Sequence, residues 1–449
     1  MDNTTITIEE LENLVKEKKY TEVKHYLLEM LPADIAELID EVPIRDALIV
    51  YRLLPKDMAI DTFPLIEVER QSELTSLVSD QELGEIIEEL FFDDMIDLIE
   101  EVPASLVKKI LRSTSPEKRK MINQFLNYPE DSAGSLMTIE FVDLKKNMTV
   151  SDAIKRIRKT GVDKETIYTC YVVGNQKKLE GIVSLKNLVL SEGNIRVKDI
   201  MTDDYISVET QDDQEYIVDV FKKYDLLSLP VVDKEKRLVG IITIDDIVDV
   251  IEEENTEDFH RMAAMSPSDD EYMTMTPFEL AKKRIFWLVI LMFSATLSQF
   301  IAEKYGNLMA QFTILAAIMP MLMSTGGNAG AQSSTLVIRG ITLGDIEFRD
   351  LIKVMWKEVR VGVLVGTTLG FLNFLRILLF SRDIRIATIV GFTLIGTTTM
   401  AALMGGLLPI LAKKANLDPA LMASPLITTI TDATTLIIFF SIATYILIG

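Results

Sequence analysis

The feature that most limits what this chain can fold into is a run of five apolar stretches, near 285–301, 308–337, 356–380, 386–412 and 424–448. Each is long enough to cross a bilayer core as a helix, if modest tilt and polar interior positions are allowed. Buried helices of a soluble domain are the rival reading. Five in succession, with Pro and Gly inside them, point to membrane spans, because a helix satisfies its own backbone in lipid and neighbouring helices absorb the breaks. Lys282, Lys283 and Arg284, the loop with Arg339, Arg349, Lys353 and Lys357, and the pair Lys413–Lys414 all fall on one side, which the positive-inside rule makes cytoplasmic. The C-terminus is then outside. Arg382 and Arg385 land on the outer side, against the rule.

Charge divides the chain at the same point. From Lys282 onward 14 Lys and Arg face 8 Asp and Glu, so the whole-chain charge of −22 resolves into +6 for the apolar part and −28 for residues 1–281. Such a soluble part repels nucleic acid and anionic lipid and attracts cations. Cys170 is the only cysteine, which rules out an intrachain disulfide and suits a reducing cytosol. Asp2, Glu9 and Glu10 with no early apolar run do not make a secretory signal.

Residues 8 to about 130 read as short amphipathic helices with an internal echo. Ala33 to Pro43 (ADIAELIDEVP) returns sixty residues later as Asp93 to Pro103 (DDMIDLIEEVP). The apolar positions keep helical spacing, and each Pro closes its helix because it lacks an amide hydrogen and clashes with the preceding turn. We expect a compact helical superhelix with a solvated acidic face. Asp93, Asp94 and Asp97 are the cluster that stands out as a candidate cation site.

From about 131 to 253 β-rich segments alternate with helices, and the pattern is duplicated. Ser135-Leu136-Met137-Thr138 matches Asp199-Ile200-Met201-Thr202; helices are expected over Val150–Lys159 and Asp213–Tyr224; and the copies close on Gly181 to Asn187 and Gly240 to Asp246. This resembles a pair of cystathionine-β-synthase (CBS) motifs. The resemblance implies that Ser184 with Asn187, and Thr243 with Asp246, can contact the ribose of an adenine nucleotide. The same residues are also good helix caps, and capping alone would explain them. An acidic helix over Val250 to Met265 follows, with too weak an apolar stripe to hold itself on a core, so it reads as a connector. Ser266-Pro267-Ser268-Asp269-Asp270 reads as a linker.

In the last apolar stretch Asp432 stands alone among Thr428, Thr429, Thr431 and Thr434. It falls about 12 Å into a helix starting near Pro425. A carboxylate at that depth costs several kcal/mol unless it meets water, a cation or a partner, so it reads as functional, with a helix-end or protonated acid as the bland alternative. The hydroxyls, Thr428 and Thr431 among them, would line a polar path. The second stretch carries Pro320 and Ser324 to Gln332 (STGGNAGAQ), where the glycines allow close helix approach and Asn328 and Gln332 share one face as a polar lining.

Pro320, Thr325 to Asn328 and Gln332, followed by Leu417 to Ala420 and by Pro425, Thr428, Thr429 and Asp432, resemble the MgtE family of magnesium transporters and channels. The resemblance covers the whole chain. It implies a homodimer in the bilayer with one pore lined by the second and fifth spans, Asp432 as pore carboxylate, and residues 252–265 as a plug beneath it. It implies multi-pass insertion in the cell membrane with cytosolic N-terminal domains, and Mg2+ uptake shut off by cytosolic Mg2+ at Asp93, Asp94, Asp97, Asp246, Asp249, Glu252, Glu257, Asp258 and Asp418. The expected domains are 1–130 all-α superhelical, 131–251 α/β tandem CBS, 252–280 connecting helix and linker, and 281–449 with five transmembrane helices.

The residues themselves favour hard cations: two histidines and one cysteine cannot supply the ligands that Zn2+ or Cu+ prefer, whereas carboxylates and carbonyls suit Mg2+ and Ca2+. Mg2+ keeps much of its water, so one or two carboxylates are enough. A less selective path for Co2+, Mn2+ or Ca2+, a Mg2+/Na+ exchanger and a membrane-anchored nucleotide receptor remain as alternatives. No nucleophile with its base, phosphate-cradling loop or zinc motif is present to suggest an enzyme.

Overall fold

The computed structural model describes residues 6–268, 272–273, 275–422 and 424–448; of the expected linker, Asp269 and Asp270 lie outside the described residues. The chain resolves into two units, 1–251 and 252–449.

The first unit begins with short α-helices from Ile8–Lys16 to Pro116–Phe125. The two echoed segments form matching helices, Pro32–Glu41 and Phe92–Glu101. Each ends on an extended valine, Val42 or Val102, because the following proline disfavours helical backbone before it. Pro43 and Pro103 then cap the next helices. The copies bury the same stripe, Ile35, Ala36, Leu38 and Ile39 in one and Met95, Ile96, Leu98 and Ile99 in the other. Their first turns differ: Ala33 is exposed, but its counterpart Asp93 is only 6% exposed.

The CBS pair forms two three-stranded sheets of identical plan. In the first, β1 (Asp143–Leu144) runs parallel to β2 (Thr169–Val173), which is antiparallel to β3 (Leu179–Ser184). In the second, β4 (Val208–Glu209), β5 (Ser228–Val232) and β6 (Leu238–Thr243) repeat this. The expected helices appear as Val150–Thr160 and Gln214–Tyr224. The repeated Met-Thr segments are exchanged: Thr138 bridges to Ile241 on β6, and Thr202 bridges to Ile182 on β3. Gly181 and Gly240 make the exchange possible. A Cβ on Gly181 would sit 2.7 Å from the Thr202 carbonyl oxygen, and one on Gly240 would sit 2.7 Å from that of Thr138. The connecting helix is not a separate element. It is the continuation of the last CBS helix, one run over Ile244–Met262, so the expected boundary at 251 falls inside a helix.

In the second unit five helices are long and apolar enough to cross a membrane. The spans are Pro277–Lys304, Ile314–Thr342, Leu351–Phe380, Ile384–Lys414 and Ser424–Leu447. All five apolar stretches are found, with one change: the second breaks, and its first residues form a short helix Gly306–Gln311. The fourth span is central and packs on the second, third and fifth. Small residues let it do so, since a Cβ on Gly362, Gly366 or Gly370 of the third span would run into the fourth span's backbone at 2.6 to 2.8 Å. The first span has no buried residue.

Candidate functional site

Asp432 is the ninth residue of the fifth span and is half-buried. The glycines of the second span pack against its neighbours on the fifth. A Cβ on Gly327 would meet Thr428, one on Gly330 would meet Ile427 and Thr431, and one on Gly326 would meet Thr397 and Thr435. The fifth span therefore lies against the second through its threonine-rich turns, and Asp432 is held next to that seam. Thr431 is fully buried and donates to the Thr428 carbonyl at 3.0 Å. Asn328 and Gln332 fall on an exposed face of the second span, away from the glycine contacts. Among the described residues the hydroxyls of Thr393, Thr397 and Thr435 are buried with no hydrogen-bond partner. Most threonines in these spans bond back to a carbonyl three or four residues earlier, as Thr398 and Thr429 do.

A second carboxylate within the spans escaped the sequence reading. Glu358 of the third span accepts from Ser333 of the second at 2.6 Å, and Ser333 also lies 2.9 Å from the Ala402 carbonyl of the fourth. Gly406 gives it room, because a Cβ there would sit 2.9 Å from Glu358 Cγ. The available signal was a lone Glu two residues inside the apolar stretch that begins at 356.

At the end of the connecting helix three of the expected acids meet arginine. Arg261 pairs with Asp418 at 2.5 Å and with Glu257 on its own helix. Asp418 also caps the turn that follows it by accepting from the Ala420 amide at 2.7 Å. Burial, then Asp418 and Glu254, push Asp258 above the ordinary carboxylate range against the opposing pull of Arg261 and Arg339. Glu252 is exposed at the start of this unit.

In the first unit acids gather in the first turn of Phe92–Glu101 and the start of Ile244–Met262. Burial, then Asp246, Asp94 and Glu165, push Asp93 well above its usual value. Burial followed by Asp246, Asp245 and Glu140 raises Asp94 to about 7. Glu165, pushed to about 8 by burial and then by Asp246 and Asp245, keeps one oxygen buried without a hydrogen-bond partner. Asp246 rises to about 6, chiefly through burial, although the Thr243 hydroxyl donates to it at 2.7 Å. Asp97 and Asp249 lie on exposed positions of these two helices. Among the described residues no three His, Cys, Asp or Glu side chains converge closely enough to grip one bare ion. Crowded and desolvated in this way, the carboxyls favour whatever neutralises them, whether protons or a nearby cation.

The two expected nucleotide pairs have different surroundings. Ser184 lines a cleft of about 730 Å³ with Tyr168, Lys186, Asp204, Ile206 and Pro230, while its hydroxyl caps the next helix by accepting from the Asn187 amide at 3.1 Å. Asn187, Thr243 and Asp246 do not line that cleft. Thr243 is buried, and Asp246 belongs to the acidic cluster.

Comparison with known proteins matches the successive regions of this chain in order. The family model of the MgtE intracellular N domain matches residues 30–131, CBS domain models match 133–191 and 197–253, and the MgtE divalent cation transporter model matches 319–442. The magnesium transporter MgtE of Thermus thermophilus is 35% identical over 96% of this chain and 97% of its own length. That of Bacillus subtilis is 30% identical over 96% and 95%. Among solved structures, the cytosolic domain of the Mg2+ channel MgtE in complex with ATP is similar at 35% identity and a TM-score of 0.52, covering 54% of this chain and 100% of that one. The soluble part of a magnesium transporter is similar at 29% identity and the same TM-score, over 55% and 97%. With the acidic helical domain, the CBS pair and the spans that carry Asp432 each matched in order, the chain belongs to the MgtE family of divalent cation transporters.

Proposed function

We propose that the protein is a magnesium channel or transporter of the cell membrane, working as a homodimer, with Asp432 as its pore carboxylate and cytosolic Mg2+ as the signal that closes it. The observation that carries the reading is Asp432, a carboxylate at mid-span beside the glycine-and-threonine seam of the second and fifth spans. A two-fold axis would double it and give the two carboxylates that suffice for a largely hydrated Mg2+. Asn328, Gln332 and Thr428 would supply hydrogen-bonding groups along the same two helices, while Thr431, buried and bonded to the Thr428 carbonyl, would brace the seam. The Mg2+ named in the T. thermophilus and B. subtilis relatives agrees with this donor chemistry.

Closure follows from electrostatics. Moving a gate from mostly open to mostly closed takes about 5.5 kcal/mol of differential binding. Several ions, each favouring the closed form about tenfold or about 1.4 kcal/mol, can supply it. The cluster of Asp93, Asp94 and Asp246, with Asp97 and Asp249 at its edge, is where they would gather. Glu252, Glu257, Asp258 and Asp418 form the second acidic group. The Ser184 cleft would hold an adenine nucleotide, by analogy with the relative solved with ATP.

The test is Mg2+ flux into liposomes carrying the purified protein under a set membrane potential. At about 4 kcal/mol per pair of unit charges 4 Å apart in an effective dielectric of 20, removing the pore charge is a large loss. Asp432→Ala should lower Mg2+ flux about a hundredfold or more. Unchanged rate and selectivity in that variant would show that the ion path runs elsewhere.

A further inference from the structure

Two observations in the outer half of the membrane part are left over from the transport reading: the arginines that break the positive-inside rule, and an open apolar groove between two spans. The groove, about 290 Å³, lies between the third and fourth spans and is walled by Gly370, Phe371, Phe374, Thr388, Gly391 and Phe392. It exists because Gly370 and Gly391 bring the two backbones together where larger residues would fill the gap. A Cβ on Gly370 would be 2.7 Å from the Gly391 carbonyl oxygen. Its hydroxyls are already satisfied: Thr367 and Thr388 donate to the Val363 and Ile384 carbonyls of their own helices at 2.7 Å. The walls therefore present hydrocarbon, with Phe371 and Phe392 as exposed flanking rings.

The fourth span continues this wall outward into charge. Arg385, Thr388, Phe392 and Ile395 recur at spacings of three and four, so they share one helical face, with Arg385 one turn beyond the groove's outer end. Arg382 stands at the loop tip just before it, with left-handed backbone at φ 53°. Both arginines are exposed. The neighbouring Asp383 spends its carboxylate on the Arg385 and Ile386 amides, at 2.9 and 3.2 Å, as the cap of the fourth span. Among the described residues neither arginine has a carboxylate partner. From Thr388 to Ile395 the apolar face extends about 10 Å, the reach of part of one acyl chain.

We propose that this groove is a specific site for an anionic phospholipid of the outer leaflet, one acyl chain lying between the third and fourth spans and the phosphate against Arg382 and Arg385. Guanidinium groups bind phosphate with two parallel hydrogen bonds. Basic pockets between spans hold anionic headgroups on the cytoplasmic side of membranes, and these two arginines would offer the same chemistry on the outer side. A second copy of this chain is a poor occupant, because a two-fold contact here would set the same unpaired arginines near each other. The inference goes beyond the transport reading and needs only the membrane insertion.

The full-length protein in detergent is offered equimolar phosphatidylglycerol and phosphatidylcholine with matched chains, and retained lipid is counted by native mass spectrometry. Phosphatidylglycerol should be retained about tenfold over phosphatidylcholine. Arg382→Gln with Arg385→Gln, both at exposed positions, should erase that preference. Thr388→Phe, which fills the groove without changing charge, should remove the retained lipid altogether. Equal retention of the two lipids, a preference that survives the double variant, or complete displacement by soluble glycerol phosphate would overturn the proposal. Mg2+ flux by the same preparation is read separately, so loss of the lipid site and loss of the transport reading give different results.

Discussion

The two acidic groups of this protein solve the same problem in different ways. Near Asp93, Asp94, Glu165 and Asp246 the carboxylates are pressed together and desolvated, with burial and one another as the main influences on their protonation. At the end of the connecting helix Asp418 and Glu257 are held by Arg261, and Asp258 feels both Arg261 and Arg339. On the reading proposed above, the first group would be held by a cation from solution or by protons, whereas the second has an arginine built in. Dependence on Mg2+ should therefore be concentrated in the soluble unit, and the built-in arginine should set a baseline at the connecting helix.

The largest expected effect comes from removing the need for a cation in the first group. With Asp93→Asn, Asp94→Asn and Asp246→Asn combined, the helical domain should stay docked on the CBS pair without Mg2+. Cleavage at exposed Glu130 by a Glu-specific protease should then be slower than in the unmodified protein by about tenfold or more, the equivalent of about 1.4 kcal/mol. If the triple variant is cut in Mg2+-free buffer as fast as the unmodified chain, the acids are not what drives the domain away.

Arg261→Gln tests the other side of the contrast. Without the built-in cation Asp418 and Glu257 repel, so that end of the helix becomes Mg2+-dependent as well. Half-closure in single-channel recordings should need about fivefold more internal Mg2+, roughly 1 kcal/mol. An unchanged Mg2+ response would mean that the arginine pairing does not bear on the gate.

Proton concentration should produce the smallest effect. Asp94, Asp246 and Glu165 have folded values of about 7, 6 and 8, all above the ordinary carboxylate range near 4. The docked form thus holds more protons than the undocked form between about pH 4 and 8. Its stability is greatest below this window and is lost as pH rises through it. In Mg2+-free buffer, lowering pH from 8 to 6 should slow cleavage at Glu130 several-fold, and millimolar Mg2+ should flatten the dependence. A cleavage rate that is flat, or rises on acidification after correction for the protease's own pH profile, would sink this account.

The sequence revealed most of the architecture, because periodicity and duplication are local signals. The five spans, the strands of the CBS pair and the echo ending at Pro43 and Pro103 all follow from spacing and from proline. What it concealed depends on tertiary partners. Ala33 and Asp93 hold equivalent positions in an identical apolar pattern, yet only Asp93 is buried, since only that copy's first turn packs beside the helix bearing Asp246. Thr243 and Asp246 looked equivalent to Ser184 and Asn187, and each pair bonds internally, but only Ser184 lines the cleft. Glu358 was missed because a carboxylate near the end of an apolar stretch looks like a boundary. Its significance appears only with Ser333 placed 2.6 Å away on another span.

The exchange of Met-Thr segments in the CBS pair also sets an order for biosynthesis. Thr138 is made early, but its place is on β6 beside Ile241, 103 residues downstream. At ribosomal rates of about 5 to 20 residues per second, the segment waits about 5 to 20 s for its seat to exist. During that interval the first half can form its own three strands but cannot be completed, and Gly240 is the empty slot into which it finally fits. A chain interrupted between the two halves would leave Thr138 without its seat and Ile182 without Thr202, so the first half is completed only when the second has been made.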